Sequence, residues 1–316
     1  MGSSAGWPSP RVPVKAVKRR VKAVLGRFTP RFTDHADWAI GLLHGPSPGD
    51  LVPPVSVPNP IVKRRDLPDR RVAFVADPFA LRVEGEWYLF YEVMDLRTGR
   101  GRIDVSVSAD LRSWRHLGPV LQEPFHLSYP QVFVHEGTIY MVPETWESGA
   151  VRLYRAELFP TRWSHVADLL VGPVLLDPTL FRAADGWWMF VETSPTVMAG
   201  ELRLFYADEL GGPWTEHPSS PVVLDDQRLA RPAGRVVAWD GQWMRFTQDC
   251  SRFYGAAVHA VRIDRIDREN YAETELDGPI LAGSGAGWNA SAMHHLDLHD
   301  DGAGGFIAFV DGHRSR

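Results

Sequence analysis

Short runs of β-branched and aromatic residues, broken by polar turn residues, recur along the chain in register with one another. Five segments align. The first runs from Asp77-Pro78 through FALRVEGEWYLFYE to Glu92, and the second from Tyr129-Pro130 through QVFVHEGTIYMVPE to Glu144. The third runs from Asp177-Pro178 through TLFRAADGWWMFVE to Glu192, and the fourth from Arg231-Pro232 through AGRVVAWDGQWMRFT to Gln248. The fifth is degenerate: His294-His295, then LDLHDDGAGGFIAFV, then Asp311. In the first three the spacing from proline to glutamate is constant. A turn signal stands in the middle of the first four units (Glu84-Gly85, Glu136-Gly137, Asp185-Gly186, Asp240-Gly241). Apolar runs flanking such a turn predict a β-hairpin. A third run follows each of the first three hairpins and ends in Trp114, Trp163 or Trp214.

Units of roughly 50 residues, each a series of strands with an aromatic mark, predict the blades of a β-propeller. Five units predict an all-β, five-bladed ring. The competing β-sandwich does not account for the fixed proline-to-glutamate spacing. Blade five is short of strands, because its second run ends close to Arg316. The strand-like stretch around DWAIGLLHGP, within residues 35–62, is expected to complete that blade and close the ring, leaving no open sheet edge.

Residues 1–34 have a different pattern. Val14, Val17, Val21, Val24, Leu25 and Phe28 recur at helical spacing among Lys15, Lys18, Arg19, Arg20, Lys22 and Arg27. This predicts a short basic amphipathic leader ahead of a propeller spanning 35–316. Packing against the flank of the ring suits it at least as well as docking on an anionic membrane or a partner. The remainder of the chain is acidic, so nucleic acid is not an expected partner.

Composition narrows the class without naming a function. The 316 residues are 44% hydrophobic and carry a formal net charge of −5, enough apolar content for a core. No apolar run reaches the length of a membrane-spanning helix. The N-terminal residues lack a signal-peptide core, so a cytoplasmic location is expected. Cys250, the single cysteine, excludes an internal disulfide and a cysteine-based zinc site. The 12 tryptophans are expected to serve mainly as packing. Trp87, Trp187, Trp188 and Trp243 are expected between blades, while Trp146 and Trp288, near rim loops, are the candidates for stacking on a sugar.

The repeat also places chemistry. A strand and its antiparallel successor return the end of each hairpin to its start. Asp77 is thereby expected beside Glu92, Tyr129 beside Glu144, Asp177 beside Glu192, Arg231 beside Gln248 and Asp249, and His294 and His295 beside Asp311. All are expected at one mouth of the channel.

These residues carry a resemblance. The Asp-Pro openings of blades one and three resemble those of the five-bladed glycosidases of the arabinanase, xylosidase and invertase type. ADPF (76–79), FHLSYPQVF (125–133), MVPE (141–144), FPTRW (159–163), RPAGR (231–235), QDC (248–250) and YG (254–255) together look like a narrower group. That group is the propeller domain N-terminal to the transferase domain of glucosamine inositolphosphorylceramide transferases, with related bacterial stand-alone proteins. The resemblance covers about residues 37–313.

The glycosidase resemblance implies that Asp77 is a general base or nucleophile and that Asp177 orients the acid. Where the general-acid glutamate belongs, at the opening of blade four, this chain has Arg231. A glycosidase needs a second working carboxyl, and Glu144 is the expected substitute. Glu92, Tyr129, Glu192, Arg231, Arg235, Gln248 and Trp146 are expected to contact substrate. The resemblance further implies a divalent ion on the channel axis held by a blade-five histidine. His126, His294 and His295 are the candidate ligands, with only one of the adjacent pair expected to face the axis. Imidazole with carboxylate suits zinc, nickel, manganese or iron; calcium is the remaining candidate, and an organic cofactor is not expected. The expected function is hydrolysis of a small-molecule glycoside in a biosynthetic or tailoring setting. The alternatives are a non-catalytic carbohydrate-binding propeller, or an accessory domain to a glycosyltransferase.

Overall fold

A computed structural model describes residues 37–194 and 200–315. The basic leader expected over 1–34 lies outside the described residues. Among those described there is no α-helix, only three 3-10 turns of three residues each. Twenty-one strands form five antiparallel sheets.

Blade one is built in chain order from Val72–Val83, Glu86–Asp95, Arg100–Ser108 and Arg115–Leu121. Blade two follows with Ser128–His135, Thr138–Glu144, Ala150–Leu158 and Arg162–Val171. Blade three uses Leu176–Ala183, Gly186–Glu192, Leu202–Ala207 and the short Thr215–Glu216. In blade four the first strand is broken into Arg231–Pro232 and Val237–Trp239, both paired with Gln242–Asp249; Ala257–Ile266 and Tyr271–Ala282 complete it. The fifth sheet joins the two ends of the described chain. Leu296–Asp300 and Phe306–Arg314 pair with each other, and Asp37–Gly45 lies along Phe306–Arg314 over nine residue pairs, with Val62–Lys63 outside it.

Apolar side chains that alternate along the strands fill the spaces between neighbouring blades. Trp87 of blade one meets Phe309 of blade five at 5.4 Å between ring centroids, Trp187 meets Phe133 of blade two at 5.5 Å, and Trp243 meets Phe181 of blade three at 5.3 Å. These three pack between blades. Trp188 does too, in an apolar cluster with Val236 and Ile263 of blade four, and it also meets Tyr206 and His217 of its own blade. The tryptophans that end the third runs share a different task. The indole N–H groups of Trp114, Trp163 and Trp214 donate to the carbonyls of Leu111, Pro160 and Leu210. Each ring thus locks the turn into the outermost strand while its apolar body stays in the inter-blade core.

Candidate active site at the channel mouth

The openings of the first three blades share an unusual backbone. Asp77, Tyr129 and Asp177 each precede a proline and have φ of 53°, 47° and 46°. Left-handed backbone at a non-glycine residue is costly, and the following proline restricts it further. At each position the strand register shifts, between Ala76 and Phe79, Ser128 and Gln131, and Leu176 and Thr179. These are bulges, which re-aim a side chain out of the pleat. They displace the sequence expectation by one residue: Glu92, Glu144 and Glu192 lie opposite Ala76, Ser128 and Leu176 rather than opposite the residue before proline.

The turned-out N–H groups have a use. Asp77 N–H donates to Asp311 Oδ2 of blade five at 3.1 Å, and Tyr129 N–H donates to Asp77 Oδ2 at 3.3 Å. Asp177 N–H donates to Glu144 Oε2 at 3.3 Å. Each carboxylate therefore accepts the left-handed amide of the next blade, and the mouth is stitched from blade to blade. Arg231, at the matching position of blade four, is not left-handed. It supplies a cation instead: its guanidinium is 2.7 Å from Asp177 Oδ2, 3.5 Å from Glu144 Oε2 and 3.7 Å from Glu192 Oε2. Gln248 Nε2 donates to the same Asp177 oxygen at 3.0 Å.

The carboxyl groups are buried, and burial disfavours their charged form. It pushes Asp77 up to about 7, helped by Asp311 and Asp177 and opposed by His294 and Arg231. Glu92 is held well above the usual carboxylate range by burial and then by the neighbouring Asp77 and Glu144. Glu144 is also held well above it, by burial and Asp177 against the pull of Arg231. Burial raises Glu192 too, against Arg231. Burial likewise opposes charging His294 and Asp311, but their contact outweighs it, raising the imidazole and lowering the carboxyl. His294 Nδ1 lies 2.8 Å from Asp311.

The two adjacent histidines do not split across the sheet as expected. The strand begins only at Leu296, so alternation does not apply to the pair. His294 Nε2 and His295 Nδ1 both face Asp77 Oδ1, at 3.9 and 4.0 Å. His295 is fully buried and neither ring nitrogen has a hydrogen-bond partner. Asp77, His294 and Asp311 offer one ligand atom each within 4.8 Å of one another. His126 is outside that group; it lies against Glu92 at 3.6 Å.

The remaining residues named from sequence are placed as follows. Tyr129 is fully buried, its hydroxyl bonded to Thr179 and to the backbone of Gly234. Arg235 is joined to Asp297 and the Ala80 carbonyl rather than to the mouth carboxylates. Trp146 packs against Val174 and Leu176, and Trp288 lies against Gly41 and Gly312 of blade five. Two residues given no role from sequence stand inside the site. Tyr254 has the Arg231 guanidinium over its ring at 5.1 Å and meets His294 edge-on at 5.4 Å. Trp38 stacks on His294 at 4.1 Å. The aromatic-glycine pair at 254–255 was the available signal for the first: Gly255 has φ +70°, and a Cβ there would lie 2.7 Å from His294. Nothing in the N-terminal run marked Trp38.

Solved structures resemble the fold. A family 117 glycoside hydrolase produced by the marine bacterium Zobellia galactanivorans has a TM-score of 0.52 and 13% identity, covering 75% of this chain and 85% of that one. A thermostable family-43 glycoside hydrolase has a TM-score of 0.54 and 16% identity, covering 76% and 89%. Sequence relatives are nearer. Glucosamine inositolphosphorylceramide transferase 1 of Oryza sativa subsp. japonica is 35% identical over 301 residues, 88% of this chain and 40% of its own length. The Arabidopsis thaliana protein of that name is 32% identical over 306 residues, 90% of this chain and again 40% of its own length. The chain thus spans about 40% of the curated relatives it matches. The family model described as glucosamine inositolphosphorylceramide transferase 1, N-terminal, matches residues 31–313, and the chain belongs to that family.

Proposed function

We propose that this chain is a glycoside hydrolase acting on a small-molecule glycoside at the mouth lined by Asp77, Glu144 and Asp177. One observation carries the reading: buried carboxyls of raised proton affinity meet, at one mouth, a carboxylate tied to an arginine. Groups whose environments drive their proton affinities apart suit acid and base roles. Asp77, balanced near neutrality, takes the proton of the attacking water or attacks directly. Asp177, bound by Arg231 and Gln248, is fixed in place facing the developing oxocarbenium ion. The leaving oxygen receives its proton from a buried glutamic acid, Glu92 or Glu144. Arg231 is engaged by three carboxylates, so in this reading it fixes the site rather than gripping an anionic substrate. Asp37–Gly45 closes the ring and, through Trp38, supports His294.

A panel of p-nitrophenyl glycosides tests the assignment. Asp77→Asn is expected to lower kcat/KM by about 10²–10⁴, the usual weight of a general acid or base. Full activity of both Asp77→Asn and Asp177→Asn on a cleaved glycoside would show the assignment to be wrong.

Two further readings have observations behind them. Arg231 in place of a carboxyl favours a carbohydrate-binding propeller, accessory to a transferase in the longer relatives; calorimetric binding of a glycoside without turnover is its expected signature. The orphaned imidazole of His295 beside His294 and Asp77 fits a divalent ion. Asp77, His294 and Asp311 would hold it, and it would supply polarisation of a substrate hydroxyl. Elemental analysis of purified protein decides that reading: a stoichiometric metal supports it, and none after purification without chelators removes it.

A further inference from the structure

Glu92 and His126 stand apart from the ion network of Arg231, on the blade-one side of the mouth. Three features show that they are built as a pair. The backbone N–H of Gly101 donates to His126 Nδ1 at 2.9 Å. That bond makes Nδ1 an acceptor, so the neutral ring carries its proton on Nε2. Burial, which pushes His126 down to about 4, keeps the ring neutral. Nε2 in turn lies 3.6 Å from Glu92 Oε1, and this oxygen is buried with no hydrogen-bond partner. Gly101 permits the approach: a Cβ at that position would lie 2.2 Å from the Leu127 carbonyl oxygen, 2.6 Å from Glu92 Oε1 and 2.9 Å from His126 Cε1. The His126 backbone N–H is anchored separately on Glu147 Oε2 at 3.2 Å.

A proton donor in glycoside cleavage must hold its proton until the leaving oxygen arrives. The candidate glutamates differ in this respect. Glu144 and Glu192 both stand within ion-pair reach of Arg231, and Glu144 also accepts the Asp177 amide. Both contacts favour a carboxylate over an acid. Among the described residues Glu92 is in ion-pair contact with no arginine or lysine, and its ion-pair partner is the imidazole of His126.

We propose that Glu92, rather than Glu144, is the general acid of the mouth, and that His126 is the positioning residue that holds it. The proposal rests on the hydrolase reading. Glu92 gives its proton to the glycosidic oxygen as the bond from that oxygen to the anomeric carbon breaks, and the bonding pair leaves with the oxygen. The products of this step are the free alcohol, the glycosyl oxocarbenium ion and the Glu92 carboxylate, which the Nε2–H of His126 moves in to bond. Water attacks the anomeric carbon and its proton passes to Asp77.

Leaving-group dependence tests this. With wild-type protein first matched to the sugar it cleaves, methyl and 2,4-dinitrophenyl glycosides of that sugar are compared. Glu92→Gln is expected to lower kcat/KM about 10²–10⁴-fold on the methyl glycoside and less than about tenfold on the dinitrophenyl one, whose oxygen needs no proton to leave. His126→Phe is expected to lower kcat with KM unchanged and to move the alkaline limb of the pH profile, and His126→Gln, which restores an N–H, to recover both. Thermal melting verifies folding; should Glu92→Gln not fold, Glu92→Asp is expected to show the same leaving-group pattern more weakly. If that pattern appears in Glu144→Gln and not in the Glu92 variants, the inference falls and the hydrolase reading stands. If wild-type protein cleaves no glycoside of the panel, the hydrolase reading fails and takes the inference with it.

Discussion

The two halves of the channel mouth handle buried charge in opposite ways. On the side of blades two to four, one arginine compensates Asp177, Glu144 and Glu192 at 2.7–3.7 Å, and Gln248 supplies a further donor. On the side of blades five and one, the ion-pair partners of Asp77 and Glu92 among the described residues are imidazoles, at 3.6–4.0 Å. The first half is an ion network whose members constrain one another. In the second half no arginine stands in ion-pair contact, and burial pushes Asp77 and Glu92 toward the protonated form without the opposing contact that Arg231 gives Glu144 and Glu192. A fixed framework beside a proton-exchanging group is the division that acid–base chemistry requires, and it arises here because blade four opens with arginine.

The comparison breaks most severely at Arg231. Arg231→Met removes the cation and strands three buried carboxyls, so a loss of about 3–5 kcal/mol is expected from urea unfolding at pH 7, as for other broken buried ion pairs. The loss is expected to shrink as pH falls and Glu144 and Glu192, which burial already pushes up, take up protons. A loss below about 1 kcal/mol at pH 7 would mean the network does not hold that half together.

A smaller effect is expected from Asp77→Asn, read as stability against pH. The folded-state value of Asp77 is raised to about 7 from an ordinary carboxylate value near 4. Between those values the folded protein binds more protons than the unfolded chain, so the Asp77 contribution to stability declines as pH rises from about 4 through about 7. Asn does not titrate there, so the variant should lose stability less steeply across that window. Equal slopes for the two proteins would remove the claim that burial raises the proton affinity of Asp77.

The smallest of the three changes is Gly101→Ala. Its added methyl would press on Glu92, His126 and the Leu127 carbonyl, an overpacking expected to cost about 1–3 kcal/mol. Melting temperature checks the stability, and the pH profile of glycoside cleavage checks whether the Glu92 half has been disturbed without the Arg231 half.

Much of this architecture is legible in the residues. The Asp-Pro to Glu spacing, the Glu-Gly and Asp-Gly turns and the terminal tryptophans establish units of a hairpin followed by a third strand, because strand alternation and hairpin chemistry are local. Which residues approach a common mouth also follows from strand direction, and Arg231 against Gln248 pairs as expected. The one-residue offset opposite Glu92, Glu144 and Glu192 does not follow, since a bulge is set by the neighbouring blade that receives the freed amide. The same holds for the two histidines: alternation fails at His294 and His295 because they precede the strand.

The sequence by itself determined the ring of five units and the polar character of its mouth, for both rest on periodicity within short windows. Only the tertiary structure decided that Arg231 serves three carboxylates, that Tyr254 and Trp38 enclose His294, and that Glu92 is left with a neutral imidazole. Those outcomes depend on burial and on contacts between blades far apart in the chain. Proton affinity is a property of that shared environment and not of any residue alone.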